Sequence, residues 1–381
     1  MWKVPLFDLN YDNAESEAVQ EVLNSKWLTM GEKTQAFELK FAGMLDDPSV
    51  QCNFVANCTS ALYMSLLSLN LKSDDEVIIP SLTFVADINA VTMAGAKAVL
   101  ADSMSLNDWN ISADTIKPLI TDKTKVLIVV HFAGFPCDME PIVELCKQHN
   151  IFLIEDVAHA PDATYKGKRC GTIGDVGCFS FFTNKNLSTG EGGMTSTKDP
   201  ALHERLKLLR SHGMSSLTLD RHKGRAITYD VIQLGLNFRS DEIHAALGLV
   251  QLEKLSTANK KRKKISDYYR KQLSSIDEVS IPFNSIVNSE PAYHIFPVLL
   301  DENVDRIRVI QSLKDNGIQS SIHYPSVHKF GTFKHLALNS TPIADDISER
   351  ELTLPLYPDL TTELIDLVVS SFKQAIKISK R

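Results

Sequence analysis

From residue 53 onward the chain alternates short runs of β-branched and other apolar residues with stretches of helical periodicity, a pattern that few folds accept. Strands that pair in parallel need a crossover between them, usually a helix, so the alternation predicts βαβ units and an α/β fold. The expected strands are 53–56, 76–79, 98–102, 125–131, 151–156 and 177–182. Runs such as VLIVV and IFLI are apolar throughout, which suits strands covered on both faces. Further on, 241–273 reads as one long helix, HAALGLVQLEKL leading into KKRKKISDYYRKQL. A strand-like 292–300, the helical DRIRVIQSLKDNG and a strand-like 318–324 follow, which suggests a smaller α+β unit. At 381 residues, roughly 150 per domain gives a count of about 2.5. No repeat or low-complexity linker interrupts the chain, and two tightly packed domains are expected, 1–250 and 251–381.

The 40 Lys and Arg against 47 Asp and Glu leave a formal charge of −7. Such a chain lacks the positive field that phosphate-backbone binding requires, so no nucleic-acid role is expected. The basic run 260–264 is expected to form a solvated helix face. Apolar stretches such as 126–130 fall far short of the roughly 18 residues that span a bilayer, so no membrane segment is expected. The N-terminal MWKVPLFDLNYDN carries polar and acidic residues where a signal peptide needs an apolar run. Cysteines 52, 58, 137, 146, 170 and 178 include no CxxC pair, and the lone CxxH of Cys146 and His149 lacks the second pair of a zinc site. Reduced thiols acting as small core residues fit a cytoplasmic setting with no metal.

In an open parallel sheet, ligands bind beyond the carboxyl ends of the strands, so the polar residues closing each strand are the candidates. After the first strand, Asn57-Cys58-Thr59-Ser60 opens a helix whose amides suit a phosphate, although Thr59 or Ser60 can also serve as a plain N-cap. After the second, Thr83-Phe84 puts an aromatic at the mouth, where core packing is the alternative. Glu155-Asp156 closes IFLI, and an acid there needs a cation or hydrogen-bond donors, with His159 three residues on. Ser180 and Lys185 follow the strand 177–182 and lead into the turn Gly190-Glu191-Gly192-Gly193. A phosphate cradle, an aromatic plate, a carboxylate and a lysine in one strand-end layer are what pyridoxal 5′-phosphate requires. The lysine forms an imine with the aldehyde, and the carboxylate keeps the pyridine nitrogen protonated.

On these residues the chain resembles the DegT-type sugar-nucleotide aminotransferases. The likeness runs through WLTMG (27–31), PSLTF (80–84), EDVAHA (155–160), FSF (179–181), GEGG (190–193), GLNFR (235–239), AALG (245–248), HYP (323–325) and LPLYP (354–358). It implies the type I fold of pyridoxal-dependent transferases: a large domain with a mostly parallel central sheet and a smaller C-terminal α+β domain. It makes Lys185 the imine-forming lysine and Asp156 the partner of the pyridine nitrogen. His159 then lies near the phenolic oxygen, Phe84 stacks on the ring, and Ser180, Cys58 and Thr59 bind phosphate. Asn237 matches an asparagine that reaches the neighbouring subunit's phosphate, so a homodimer with shared sites is implied. Cys58 stands where many relatives have glycine, which a backbone-amide contact tolerates only if its φ is negative. Asp87 stands where a small neutral residue is common, and no role is assigned to it.

The implied reaction takes an amino group from glutamate and passes it to a nucleotide-linked keto-sugar, in ping-pong fashion. Lys185 then needs a pKa well below that of a free amine. Thr29 and Tyr324 lie in motifs that line the sugar pocket, and the loop 214–229, with Arg221, His222, Lys223 and Arg225, suits a diphosphate; core packing and a solvated loop are the rival readings. A sugar dehydratase on the same fold would carry histidine at position 185. A nicotinamide oxidoreductase would need GxGxxG after a strand, and the cluster Gly171, Gly174, Gly177 precedes one. A non-catalytic cofactor-binding regulator would not need Lys185, Asp156 and a complete glycine turn together.

Overall fold

The computed structural model describes residues 2–215, 224, 228–284, 288–336 and 339–380. Its strands, in chain order, begin with β1 (Gln51–Val55), β2 (Glu76–Pro80), β3 (Lys97–Ala101), β4 (Thr124–Val130) and β5 (Phe152–Asp156). They continue with β6 (Thr164–Tyr165), β7 (Lys168–Arg169), β8 (Val176–Ser180) and β9 (Gly193–Thr197). The last four are β10 (Val279–Ser280), β11 (Ser289–Glu290), β12 (Phe296–Leu300) and β13 (Glu351–Leu354). All six strands expected in the first half are present. Seven strands form the central sheet in the order β1-β9-β8-β5-β4-β2-β3. The pairs β2–β3, β2–β4, β4–β5 and β5–β8 are parallel, and β9 runs antiparallel to both β8 and β1.

Side chains alternate across each strand, so the apolar runs feed two cores. Val77, Ile79, Val126, Ile128 and Ile154 pack on one face with Leu62 of helix Cys58–Leu67 and Val91 of helix Ala86–Met93. Ile78, Leu127, Val129 and Leu153 pack on the other with Ile142 and Leu145 of helix Met139–His149. Strand β9 is the member of the central sheet that the sequence did not announce. Its GMTST follows two glycines and reads as turn chemistry, yet all five residues are buried. Ser196 and Thr197 donate to the Gly171 and Asp175 carbonyls, which lets a hydroxyl-rich strand sit inside the sheet.

Helix Glu242–Leu273 is capped by Asp241 and runs through residue 250 without a break. Leu255 packs with Phe37 and Phe41, whereas Ile265, Tyr269 and Leu273 join a separate core around the antiparallel sheet β10-β12-β13. Helices Arg306–Asp315 and Thr362–Ile378 complete that core, and Val4 enters it from the N-terminal segment. The expected strand at 318–324 is corrected: only isolated bridges Val4↔Ile318 and Ser321↔Thr353 form there. The His323 amide donates to the Glu351 carboxylate at 2.7 Å instead of to a carbonyl, and Pro325 has no amide to give. The basic face is corrected at one position. Lys260, Lys261, Lys263 and Lys264 are exposed, but Arg262 lies on the core side, donating to the carbonyls of His294 at 3.1 Å and Leu356 at 3.0 Å. Among the described residues no helix is long and apolar enough to cross a membrane.

Candidate active site

The carboxyl ends of β1, β2, β5 and β8 open onto a cavity of about 460 Å³. It gathers eight of the expected residues: Cys58, Thr59, Phe84, Asp156, His159, Ser180, Lys185 and Tyr324. At one end lies the start of helix Cys58–Leu67. Its N-cap is Asn57, whose Oδ1 accepts from both the amide and the hydroxyl of Ser60 at 2.9 Å, so neither Thr59 nor Ser60 is the cap. The first intrahelical acceptor is taken by the Ala61 amide, so the amides of Cys58 and Thr59 precede the hydrogen-bonded turn. Cys58 is the first helical residue and is absent from the positive-φ positions, so cysteine costs that backbone nothing where glycine is common.

Gly193 lets this turn approach the sheet. A Cβ there would lie 2.5 Å from the Asn57 carbonyl carbon and 2.7 Å from the Cys58 nitrogen. An unfilled helix start held at that distance from a strand, with the Ser180 hydroxyl on the same wall, is an anion cradle.

Deeper in, Asp156 closes β5, is 5% exposed and accepts from the Ala158 amide at 2.8 Å. The Cys58 thiol lies 3.9 Å from its Oδ1. Burial raises the pKa of Asp156 above its ordinary value, against the pull of the Ala158 amide and the Lys185 charge. Asp87 is fully buried beside it, with Oδ2 accepting from the Thr83 hydroxyl and Oδ1 without a partner. Burial and the negative charge of Asp156 push Asp87 far above the carboxylate range. Both effects favour the protonated form of Asp87 over a second carboxylate beside Asp156.

Lys185 is half-buried on the wall of the same cavity, and its pKa falls from 10.5 to about 8 because burial outweighs the attraction of Asp156. The next residue, Asn186, fixes it: Nδ2 donates to Asn259 Oδ1 and to the Ala292 carbonyl, both at 2.8 Å, and Oδ1 lies 2.8 Å from His294 Nδ1. His159 has both ring nitrogens engaged. The Ala133 amide donates to Nδ1 at 3.3 Å, and Nε2 lies 3.1 Å from the Tyr324 hydroxyl. Phe84 is 54% exposed, with its ring centroid 5.6 Å from that of Tyr324, so it belongs to the cavity wall and not to a core.

Three expected site residues lie elsewhere. Thr29 bridges Asp241 and lines a second cavity of about 440 Å³ near Glu38 and Arg210. Asn237 is exposed, bridges Ser211 and is not on the wall of the cavity holding Lys185. Arg221, with His222, Lys223 and Arg225, lies outside the described residues. Three further polar residues of the cavity had no role assigned from the sequence. Asn184 has a buried, unpartnered Oδ1, and Glu191 and His323 share the wall. Their signal was adjacency alone, since Asn184 precedes Lys185 and His323 precedes Tyr324.

Behind the sheet, His131, Glu155 and Cys170 bring three ligand-type atoms within 4.8 Å of one another. Glu155 already accepts from the amides of Gly171, Ile173 and Gly174 and lies 3.0 Å from His131 Nε2. Burial alone would raise Glu155, but these donors and the His131 charge hold it below its ordinary value. The cluster is saturated by hydrogen bonds that pin the end of β5.

The unfilled helix start, the orphaned Asn184 oxygen and the Gly193 approach fit a phosphorylated ring bound beside a lysine. Fold and site define a pyridoxal-phosphate-dependent aminotransferase. The chain belongs to the DegT/DnrJ/EryC1/StrS aminotransferase family, whose model matches residues 10–373. It is 35% identical to GDP-perosamine synthase of Escherichia coli O157:H7, covering 97% of this chain and 98% of that one. Its fold is similar to the aminotransferase TlmJ from Streptoalloteichus hindustanus, with a TM-score of 0.91, 32% identity and 99% of both chains covered. It is likewise similar to the PLP form of the putative sugar aminotransferase Spr1654 from Streptococcus pneumoniae, with a TM-score of 0.89, 28% identity, and 99% and 98% covered. The protein is a sugar aminotransferase whose cofactor is pyridoxal 5′-phosphate.

Proposed function

We propose that the protein transfers the amino group of glutamate to a nucleotide-linked keto-sugar in amino-sugar biosynthesis. The observation that carries this reading is the meeting of Lys185, Asp156 and the helix start at Cys58 and Thr59 in one cavity. Pyridoxal 5′-phosphate, when bound, supplies an aldehyde that takes up and gives back the amino group and a ring that withdraws electrons. In this proposal the Cys58 and Thr59 amides, with the Thr59 and Ser180 hydroxyls, hold the phosphate. Asp156 keeps a proton on the pyridine nitrogen, Phe84 covers the ring, and His159 lies near the phenolic oxygen. Lys185, with a pKa of about 8, has a neutral fraction at physiological pH able to take the α-proton of the amino donor. Tyr324 on the wall, and Thr29 and Arg221 beyond it, contribute to the sugar and nucleotide site.

Thr29 lines a different cavity from Lys185 and Asn237 lines neither, and a homodimer that shares its sites would reunite them. The segment 231–236 supports that assembly, because Val231, Ile232 and Leu234 are 55%, 59% and 91% exposed. The proposed units are a cofactor domain over 1–250 and a smaller one over 251–381, joined through helix Glu242–Leu273. A cytoplasmic setting is supported by six free, buried cysteines.

The test is a half-reaction. Glutamate added alone to the holoenzyme should change the absorbance of the bound cofactor and release 2-oxoglutarate, and Lys185→Ala should do neither. A holoenzyme that releases no 2-oxoglutarate overturns glutamate as the donor.

A further inference from the structure

One buried acid of the smaller unit is linked to the cavity by an unbroken hydrogen-bonded chain. Glu351 opens β13 and is fully buried. Its Oε2 accepts from the His323 amide at 2.7 Å, and its Oε1 is hydrogen-bonded to the Thr353 hydroxyl. That hydroxyl lies 2.8 Å from His323 Nδ1. The His323 ring is on the wall of the cavity that holds Lys185. With Nδ1 committed to Thr353, Nε2 is the free hydrogen-bonding atom of the ring. The other histidine on that wall has no such atom, since His159 spends one nitrogen on Ala133 and the other on Tyr324.

We propose that Glu351, Thr353 and His323 form a proton relay, with Glu351 as the reservoir and His323 Nε2 as the atom that exchanges the proton with the bound substrate. It rests on the reading of this cavity as the reaction site. In any exchange of a carbonyl for an amine the carbonyl oxygen leaves as water, so a proton donor is needed beside it. In the charged relay Glu351 is a carboxylic acid donating to Thr353 Oγ1, Thr353 donates to Nδ1, and Nε2 carries a hydrogen. As Nε2 gives its proton to the substrate oxygen, Nδ1 takes the Thr353 proton and Thr353 takes the Glu351 proton. One proton has left, the ring is neutral in its other tautomer, and the negative charge rests on Glu351. The same steps reversed recharge the relay.

The electrostatics suit the resting state. Burial pushes Glu351 up to about 8, against the Thr353 and His323 donors and the Arg306 charge. Burial, reinforced by the Lys185 charge, pulls His323 down to about 3, so the resting proton sits on the acid and not on the ring. The groups facing the relay are few. Arg306 of helix Arg306–Asp315 donates to the Glu351 carbonyl at 3.1 Å, and Arg350 is occupied by Asp346. Lys185 and His159 face the ring from the large unit, His294 faces it from the smaller one, and Tyr324 follows it in the chain.

The test compares wild-type holoenzyme with Glu351→Gln, Thr353→Val and Thr353→Ser. Nitrogen NMR of histidine-labelled protein should show the His323 ring changing tautomer as the pH passes about 8 in wild type, and holding one tautomer throughout in Glu351→Gln. The high-pH fall of kcat near that value should vanish in Glu351→Gln. In Thr353→Val kcat should drop at least about tenfold with KM within about twofold, and Thr353→Ser should restore it. Release of 2-oxoglutarate by the wild type in the half-reaction, alongside these losses in the variants, separates a failed relay from a failed glutamate reading. A His323 tautomer that ignores pH in wild type, or a wild-type kcat profile in both Glu351→Gln and Thr353→Val, overturns the relay.

Discussion

Gly193→Ala places a methyl group against the turn proposed to hold the cofactor phosphate. The new carbon would stand 2.5 Å from the Asn57 carbonyl carbon, and 2.7 Å from both the Asn57 oxygen and the Cys58 nitrogen. Ordinary contact begins at 3.4 Å, so the turn must retreat by 3.4 − 2.5 = 0.9 Å. All three atoms are backbone, and Gly193 is itself held in register between Val55 and Ser180, so no flexible side chain can absorb the shift. Overpacking of this kind costs about 1–3 kcal/mol, which lowers Tm by roughly 1–4 °C in a protein of 381 residues. The effect on the cofactor is separate. A hydrogen bond to a charged group is worth about 1.5–3 kcal/mol, so losing one weakens binding about 10- to 150-fold. Equilibrium dialysis of apoprotein against pyridoxal 5′-phosphate reads that affinity. Gly43→Ala is the control: it lies in helix Glu32–Met44 with open space around its Cβ position, and the substitution should stabilise by about 0.5–1 kcal/mol. A Gly193→Ala protein that binds the cofactor within about twofold of wild type would refute the cradle.

Three further outcomes follow from the same geometry. Asp156→Asn removes the attraction that opposes desolvation of Lys185, so the lysine pKa should fall below about 8, increasing its neutral fraction at neutral pH while turnover drops; pH-dependent acetylation of Lys185 read by mass spectrometry checks this, and an unchanged or higher pKa contradicts it. Asn186→Ala strands Asn259 Oδ1, the Ala292 carbonyl and His294 Nδ1, each 2.8 Å from its present partner, and should cost about 3–5 kcal/mol of stability along with the fixed position of Lys185. Calorimetry should show the loss, and an unshifted Tm would mean that the network is dispensable. Leu234→Asp puts a charge on a side chain that is 91% exposed in the isolated protomer and should turn a homodimer into monomers with weakened cofactor retention, as read by light scattering and absorbance. A wild-type protein that is monomeric and fully active would contradict the shared site.

The parallel half of the central sheet was legible because β4 and β5 are buried on both faces and must be apolar throughout. Strand-end logic then led to Asp156, Ser180 and Lys185 without any tertiary information. What escaped had local chemistry that resembled something else. Strand β9 hides inside a Gly-Thr-Ser run because the Ser196 and Thr197 hydroxyls find carbonyl partners that only the fold supplies. The segment at 318–324 has strand composition, but a carboxylate takes the amide that a ladder would use. Arg262 shares a basic run with four exposed lysines, and only its spacing of four, three and seven residues to Ala258, Ile265 and Tyr269 marks it as inward. Asn57 outcompetes Thr59 as cap because its side chain reaches both donors of Ser60. Thr29 and Asn237 lie off the wall of the Lys185 cavity, and a role for them there rests on the proposed homodimer.

The central claim is that an amino group passes from glutamate to a sugar through the Lys185 cavity. Its most direct test is mass spectrometry of products after the holoenzyme is incubated with amine-labelled glutamate and a panel of UDP-, dTDP- and GDP-linked keto-sugars. At least one keto-sugar should become an amino-sugar carrying the labelled nitrogen in wild type, and none in Lys185→Ala. Cofactor-loaded wild type that releases 2-oxoglutarate from glutamate yet labels no keto-sugar would contradict the account.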